Sequence, residues 1–531
     1  MRVVTVVQDN PFYSGTTNHI SWHSQVKQKQ LLSRINGKAI IMRAVGTITR
    51  NGLTMIVTRL LVAAILVVAG QATVTAQDIG SSTNGRTGQV LVPASHSVGY
   101  ALSDSTLTIQ DTQKPPAESV QVETGACSAD YFCSCGDCQR NRCKRAELTG
   151  DWGGRRTCWA ERGIVIKSSL TQFYQGVVSG GDEQKFRYGG KLDLFTEFNT
   201  EKMGFWKGGN FLVHAVSYNY GQNSNADATF LAPVNANMTY PKAEPSFAVS
   251  SLWFEQELGD QGYAALVGRY DLLDVWALFY PEYGRGIDGF MNVSSFVPFN
   301  IVLTGLPPVS NLAGIVKSGD EGVEAAFLVL ENANHPTNIG LNFPNGVTIL
   351  PTVRKYTKFG GLKGTHTLAA WYATGDFSSF DTNSWVGFPP GLGAIPTRSG
   401  SWSATYLAEQ RLWQDPCNEK RYTNLFGYVD IADGQTNPYQ FTAGGSLEWF
   451  GRFANRPGDR MGIAGFYNQL GDLADLLAAI EPDNDVYGGE FYYNAEINPW
   501  FHLSFDLQVV QPTFESRDLA IVTALRAKID F

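Results

Sequence analysis

The sequence predicts an all-β fold: a transmembrane antiparallel β-barrel of about 16 strands, preceded by a cysteine-rich amino-terminal extension. Three observations predict it. An export segment is followed by no apolar run long enough to cross a bilayer as a helix. From Gly163 onward, short alternating segments succeed one another between Gly, Asn, Asp and Pro turns. The last of them alternates up to an aromatic residue, Phe531.

Composition narrows the class first. Only 17% of the 531 residues are charged, 12% are aromatic and 55 are glycine, a mix that suits many strands and turns better than a soluble enzyme. A net charge of −8 with 41 Lys+Arg provides no basic patch for a polyanion, so nucleic acid is excluded as a partner. A mean hydropathy of −0.14 is too low for a multi-helix membrane protein.

The amino-terminal elements follow in order. Leu60–Gly70 is an apolar core with Arg59 before it and small residues after it, ending Val74-Thr75-Ala76, the pattern of a secretory signal peptide. Residues 1–54 then read as an over-extended start, 55–76 as the signal peptide and Gln77 as the first residue of the exported chain. Residues 77–120 are rich in Ser, Thr, Gly and Gln and read as a disordered linker, because too few apolar side chains are present to offset the entropy of ordering.

Residues 121–160 form a cysteine-rich periplasmic segment holding six of the seven cysteines: Cys127, Cys133, Cys135, Cys138, Cys143 and Cys158. In an exported chain these are disulfide candidates. The Cys135-x-x-Cys138 spacing also suits zinc, but a well-spaced second pair and a nearby His are missing, so bridges are the expected reading and no cofactor is expected. Asp151-Trp152-Gly153-Gly154 is expected to be a tight turn, its glycines taking unusual dihedrals and its Trp docking at the mouth of the barrel.

The barrel is assigned to residues 161–531. Phe501, Leu503, Phe505, Leu507 and Val509 alternate with His502, Ser504, Asp506 and Gln508. In the last segment Leu525, Ala527, Ile529 and Phe531 lie on one face, and Arg526, Lys528 and Asp530 on the other. Leu192, Leu194, Thr196 and Phe198 likewise oppose Lys191, Asp193 and Glu197, and Leu447, Trp449 and Phe453 oppose Glu448 and Arg452. A soluble sandwich also alternates. The aromatic Phe531 closing an amphipathic strand decides for the outer membrane, where it is the expected assembly signal for the barrel assembly machinery, and in lipid only a closed barrel satisfies every strand backbone group. The segments Gly221–Pro245 and Gly375–Ser401 are the expected long external loops, one of them folding inward to narrow the pore. The polar face must look into an aqueous lumen, so the pore-lining candidates for substrate are Lys191, Asp193, Glu197, Arg269, Glu448, Arg452, Asp506, Arg526 and Lys528.

Several stretches resemble the OprB-type carbohydrate-selective porins. They are Leu148-Thr-Gly-Asp-Trp-Gly-Gly-Arg155, Gly189-Gly-Lys-Leu-Asp193, Trp206-Lys-Gly-Gly-Asn-Phe211, Leu252-Trp-Phe-Glu-Gln256, Val267-Gly-Arg-Tyr-Asp271 and Leu507-Gln-Val-Val-Gln-Pro512. The resemblance implies passive diffusion of small sugars through a monomeric barrel in contact with outer-membrane lipid. Sugar hydroxyls call for charged and amide partners beside aromatic surfaces, and the chain has both.

Two other classes bear on the function. A hydrolase needs a nucleophile with an oriented base, and among seven His, with no Gly-x-Ser-x-Gly or HExxH pattern, His502 beside Ser504 is the only local suggestion. A plugged structural or adhesive barrel would show the same alternation. The expected protein is a channel and not an enzyme.

Overall fold

A computed structural model describes residues 145–531, apart from 222–223, 230, 239–246, 284, 303–307, 333–345, 382–395, 454–455 and 479–484. The expected signal peptide, the linker and the cysteines from Cys127 to Cys143 lie outside the described residues. Within them, Cys158 is disulfide-bonded and Cys417 is free.

A short helix, α1 (Arg155–Glu161), leads into sixteen strands. They are β1 (Ile164–Ser179), β2 (Phe186–Asn199), β3 (Gly209–Gly221), β4 (Phe247–Leu258), β5 (Tyr263–Asp271), β6 (Val309–Gly319), β7 (Gly322–Glu331) and β8 (Val347–Phe359). There follow β9 (Leu362–Ser378), β10 (Thr397–Asp415), β11 (Asn418–Ala432), β12 (Tyr439–Phe450), β13 (Arg460–Leu470), β14 (Val486–Asn498), β15 (Phe501–Val510) and β16 (Ala520–Asp530). Every neighbouring pair is antiparallel, and β1 pairs with both β2 and β16, so the sheet closes on itself. Closure leaves no edge strand, which is the condition for a sheet to sit in lipid.

Turn chemistry sorts the two rims. Gly360 and Gly361, at φ +57° and +82°, make the two-residue turn between β8 and β9, where both positions need the left-handed region. The opposite rim carries the long connections, among them 222–246, 272–308 and 379–396.

The faces are inverted relative to a soluble protein. Val353 is 62% exposed and Leu368, its cross-strand partner, 61%, while the next pair inward, Arg354 and Thr367, is buried. This exposed apolar band is the surface a bilayer covers, and it removes the sandwich alternative.

The lumen is not uniformly wet, as the alternation alone suggests. The wall from β4 to β7 turns Trp253, Leu266, Tyr270, Leu312 and Leu328 inward, where they pack against a helix, α2 (Leu272–Phe279), in the long connection after β5. A void of only about 20 Å³ remains between them, room for a single water. Asp271 caps this helix, its carboxylate accepting from the Leu273 N–H at 2.9 Å. Beyond it the chain stays inside the barrel, burying Tyr280, Tyr283, Phe290, Phe296 and Phe299.

The expectation that one of the two long loops folds inward holds for the first of them but misses the main occupant of the lumen. The described part of Gly221–Pro245 does enter the lumen, with Gln175 and Gln508 both donating to the Val234 carbonyl. The main occupant is the 272–302 segment, which the sequence does not mark as a loop because its apolar run reads as strand or core. The stretch 382–395 lies outside the described residues.

Candidate functional site

Inward-pointing polar residues divide into those that hold the lumen segment and those that face open space. Seven of the nine sequence candidates point inward, and six of those seven are engaged in holding. Arg526 is fully buried and donates to the carbonyls of Gly286 at 3.0 Å and Gly289 at 2.8 Å. Lys528 pairs with Asp288 at 3.2 Å. Glu448 pairs with Arg460 at 2.9 Å, and Arg460 also donates to the Glu282 carbonyl at 2.7 Å. Lys191 lies 3.2 Å from Asp193 and donates to Asn237, and Asp193 meets the His214 Nε2 at 2.8 Å. Asp506 accepts from Gln508, which in turn takes a hydrogen bond from Asn292. Glu197, near the short-turn rim, faces inward with its Oε1 lacking a protein donor.

Two candidates are misplaced by the alternation. Arg269 sits opposite Leu252, a residue of the lipid-side face, and its Nε donates to the Val249 carbonyl, so it does not line the lumen. Arg452 lies beyond the end of β12, because Gly451 turns the chain at φ +60°; its guanidinium stacks 3.8 Å over Trp413 at the short-turn rim. Phe453 is outside the strand for the same reason.

Open space lies along β8 to β11. A cavity of about 650 Å³ is bounded there by the barrel wall and by Glu282 of the lumen segment. Arg354 of β8 reaches Glu409 of β10 at 2.9 Å, donates to the Phe279 carbonyl and stacks over Tyr280 and Tyr356. Glu409 also accepts from Thr365 at 2.9 Å and from Asn424 at 3.4 Å. Arg411 pairs with Glu282 at 2.9 Å and lies 4.1 Å over the Tyr422 ring.

None of these residues was singled out from the sequence. The signal was nevertheless present: Ser401, Ser403, Thr405, Leu407, Glu409 and Arg411 face inward and Trp402, Ala404, Tyr406 and Ala408 outward, the same alternation as in β15 and β16. What the pattern could not show is which stretch of wall the lumen segment leaves uncovered.

Residues 183–531 match the family described as carbohydrate-selective porin, OprB family. The chain belongs to that family. Its fold is similar to that of Pseudomonas putida OprB in a high-pH structure, with a TM-score of 0.64 and 19% identity, covering 74% of this chain and 100% of that one. A low-pH structure of Pseudomonas putida OprB is also similar, at a TM-score of 0.45 and 15% identity over 73% of this chain and 99% of that one. No curated protein matches the chain.

The protein is thus an integral β-barrel of the outer membrane and a porin for carbohydrates. The local hydrolase suggestion dissolves in the geometry of this porin. His502 and Ser504 each bond to Asn494, at 3.1 and 3.0 Å, which gives a base no nucleophile to activate. His214, Asp271 and Asp274 bring ligand-type atoms within 4.8 Å of one another, yet both His214 ring nitrogens already meet carboxylates and the Arg285 guanidinium sits on Asp274. That donor set is consumed by ion pairing, which does not fit a metal.

Proposed function

We propose that sugars cross this porin through the cavity along β8 to β11, making and breaking hydrogen bonds with Arg354, Glu409, Arg411, Glu282 and Asn424 as they pass. The observation that carries the reading is the lining itself. Two arginine–carboxylate pairs line it, Arg354–Glu409 within the wall and Arg411–Glu282 between the wall and the lumen segment, with tyrosine rings beside them. A sugar ring presents hydroxyls at its edge and C–H bonds on its faces, and this lining answers both.

The pairs also suit passive transport. Each charged group is compensated when no sugar is present, so a hydroxyl exchanges one partner for another and is not trapped; a conducting site must bind weakly enough to release. One chain suffices for one pore, because its sixteen strands close without a partner.

Ion current through single porins in planar bilayers, with glucose as the blocking sugar, tests this. Arg411→Ala and Glu409→Gln each remove a charge-assisted hydrogen bond, so the half-blocking glucose concentration should rise by about tenfold, the equivalent of about 1.4 kcal/mol. Unchanged block in both variants would remove the cavity from the sugar path. An absence of ion current in the unaltered protein would favour a plugged barrel instead, and release of product in an esterase assay would reopen the enzyme reading.

A further inference from the structure

The cavity wall contributed by the lumen segment is held by groups that do not line it. Asp274, on α2, pairs with Arg285 at 2.7 Å, eleven residues further on. Between them lie Phe279, whose carbonyl takes the Arg354 hydrogen bond, and Glu282, the partner of Arg411. The pair therefore closes the excursion that reaches into the pore into a bracketed loop.

That bracket is fastened to the barrel. The Asp274 carboxylate also meets the His214 Nδ1 at 2.7 Å and accepts from the Ser251 hydroxyl at 2.5 Å. His214, on β3, spans from Asp274 to Asp193 on β2, and Asp193 is paired with Lys191. The Phe195 ring is stacked between them: its centroid is 3.8 Å from that of His214 and 4.3 Å from the Arg285 guanidinium carbon. Asn237 of the second inward segment donates to the Arg285 carbonyl. Asp193, His214 and Asp274 are all buried, and each of the two carboxylates is shared between His214 and a second basic side chain, Lys191 on Asp193 and Arg285 on Asp274.

We infer that the Asp274–Arg285 bracket, tied to the wall through His214, is a positioning device that sets how far Glu282 and Phe279 reach into the pore and thereby sets sugar discrimination. The inference rests on the sugar path proposed above. Its physical basis is that an isolated 11-residue excursion would sample many conformations, whereas a loop closed at its base, with Arg285 stacked on the wall residue Phe195, has few. The 2.9 Å contact between Arg411 and Glu282 is supported at the tip by Arg460, which donates to the Glu282 carbonyl, and at the base by the bracket.

The test compares the unaltered porin with Asp274→Asn, Arg285→Met and Arg285→Lys in planar bilayers. Folding is read separately by heat-modifiable migration on gels. If the bracket positions the pore wall, Asp274→Asn and Arg285→Met keep a folded barrel, increase open-channel noise and raise the half-blocking glucose concentration by about three- to tenfold. Arg285→Lys, which retains the opposite charge, should recover most of the loss. In a Glu282→Gln background, Asp274→Asn should add little further loss, since both act through one contact. Should Asp274→Asn fail to fold, Ser251→Ala, which withdraws a single donor from the same carboxylate, carries the same measurement. Block and noise equal to the unaltered porin in the folded variants overturns the bracket; absence of glucose block in the unaltered porin overturns the sugar path instead.

Discussion

Arg526 shows how one residue changes meaning between sequence and structure. Its place in the alternation directs it away from lipid, where an arginine at mid-membrane would cost about 2–4 kcal/mol. The sequence then suggests a solvated wall residue, but the side chain is buried and holds two carbonyls of the lumen segment. Arg526→Ala strands both carbonyls, each at about 1–3 kcal/mol. The barrel ladder is untouched, so the variant should migrate as a folded barrel while its channel conducts with more noise than the unaltered one. Quiet current of unchanged size would mean that the Gly286–Gly289 stretch is held by something else. Gly462 offers an independent check. A side chain added there would place its Cβ 2.7 Å from both Phe290 and Tyr492, so Gly462→Val should displace Phe290 and alter glucose block without lowering the amount of assembled barrel.

At the level of elements, the segment before β1 behaves as a latch. Gly150, Trp152, Gly153 and Gly154 all have φ between +51° and +88°, the tight turn expected of that motif. Asp151 steadies it by accepting from the Thr157 N–H at 2.8 Å. The turn brings Arg156 onto the Phe531 main-chain oxygen at 2.6 Å and onto Glu147 at 2.6 Å, with Trp152 stacked against the guanidinium; the Leu148 N–H donates to the Asp530 carbonyl at 2.8 Å. These contacts straddle the seam where β1 meets β16. Arg156→Ala should lower the temperature at which the folded gel band converts to the unfolded one, and leave glucose block unchanged. An identical conversion temperature would show that the β1–β16 ladder closes the seam unaided.

On the scale of the whole molecule, two apolar surfaces do opposite work. The outer one is held by lipid, and the inner one packs the lumen segment against β4 to β7. Charge should be tolerated very differently on the two. Val353→Arg, on the outer band, should reduce assembled barrel in proportion to a cost of about 2–4 kcal/mol, whereas a charge already stands at the adjacent inward position, Arg354. Normal assembly of Val353→Arg would reverse the assignment of faces. The strand alternation of β2, β12, β15 and β16 was legible in the sequence because a side chain's face depends only on its parity along the strand, and Leu525 against Arg526 shows it within two residues. The sixteen-strand closure followed from the same pattern, since lipid forbids an open edge. The pore itself was not legible. Arg526 meets Gly286 across 240 positions of chain, and the run from Leu272 to Phe279 reads as core whether it lies between sheets or inside a barrel. Which inward charges anchor the lumen segment, as Arg526 and Glu448 do, and which line the open cavity, as Glu409 and Arg411 do, depends on where that segment comes to rest. Parity settles a direction locally, but occupancy of the lumen is a contest among distant parts of the chain, and only the tertiary structure decided it.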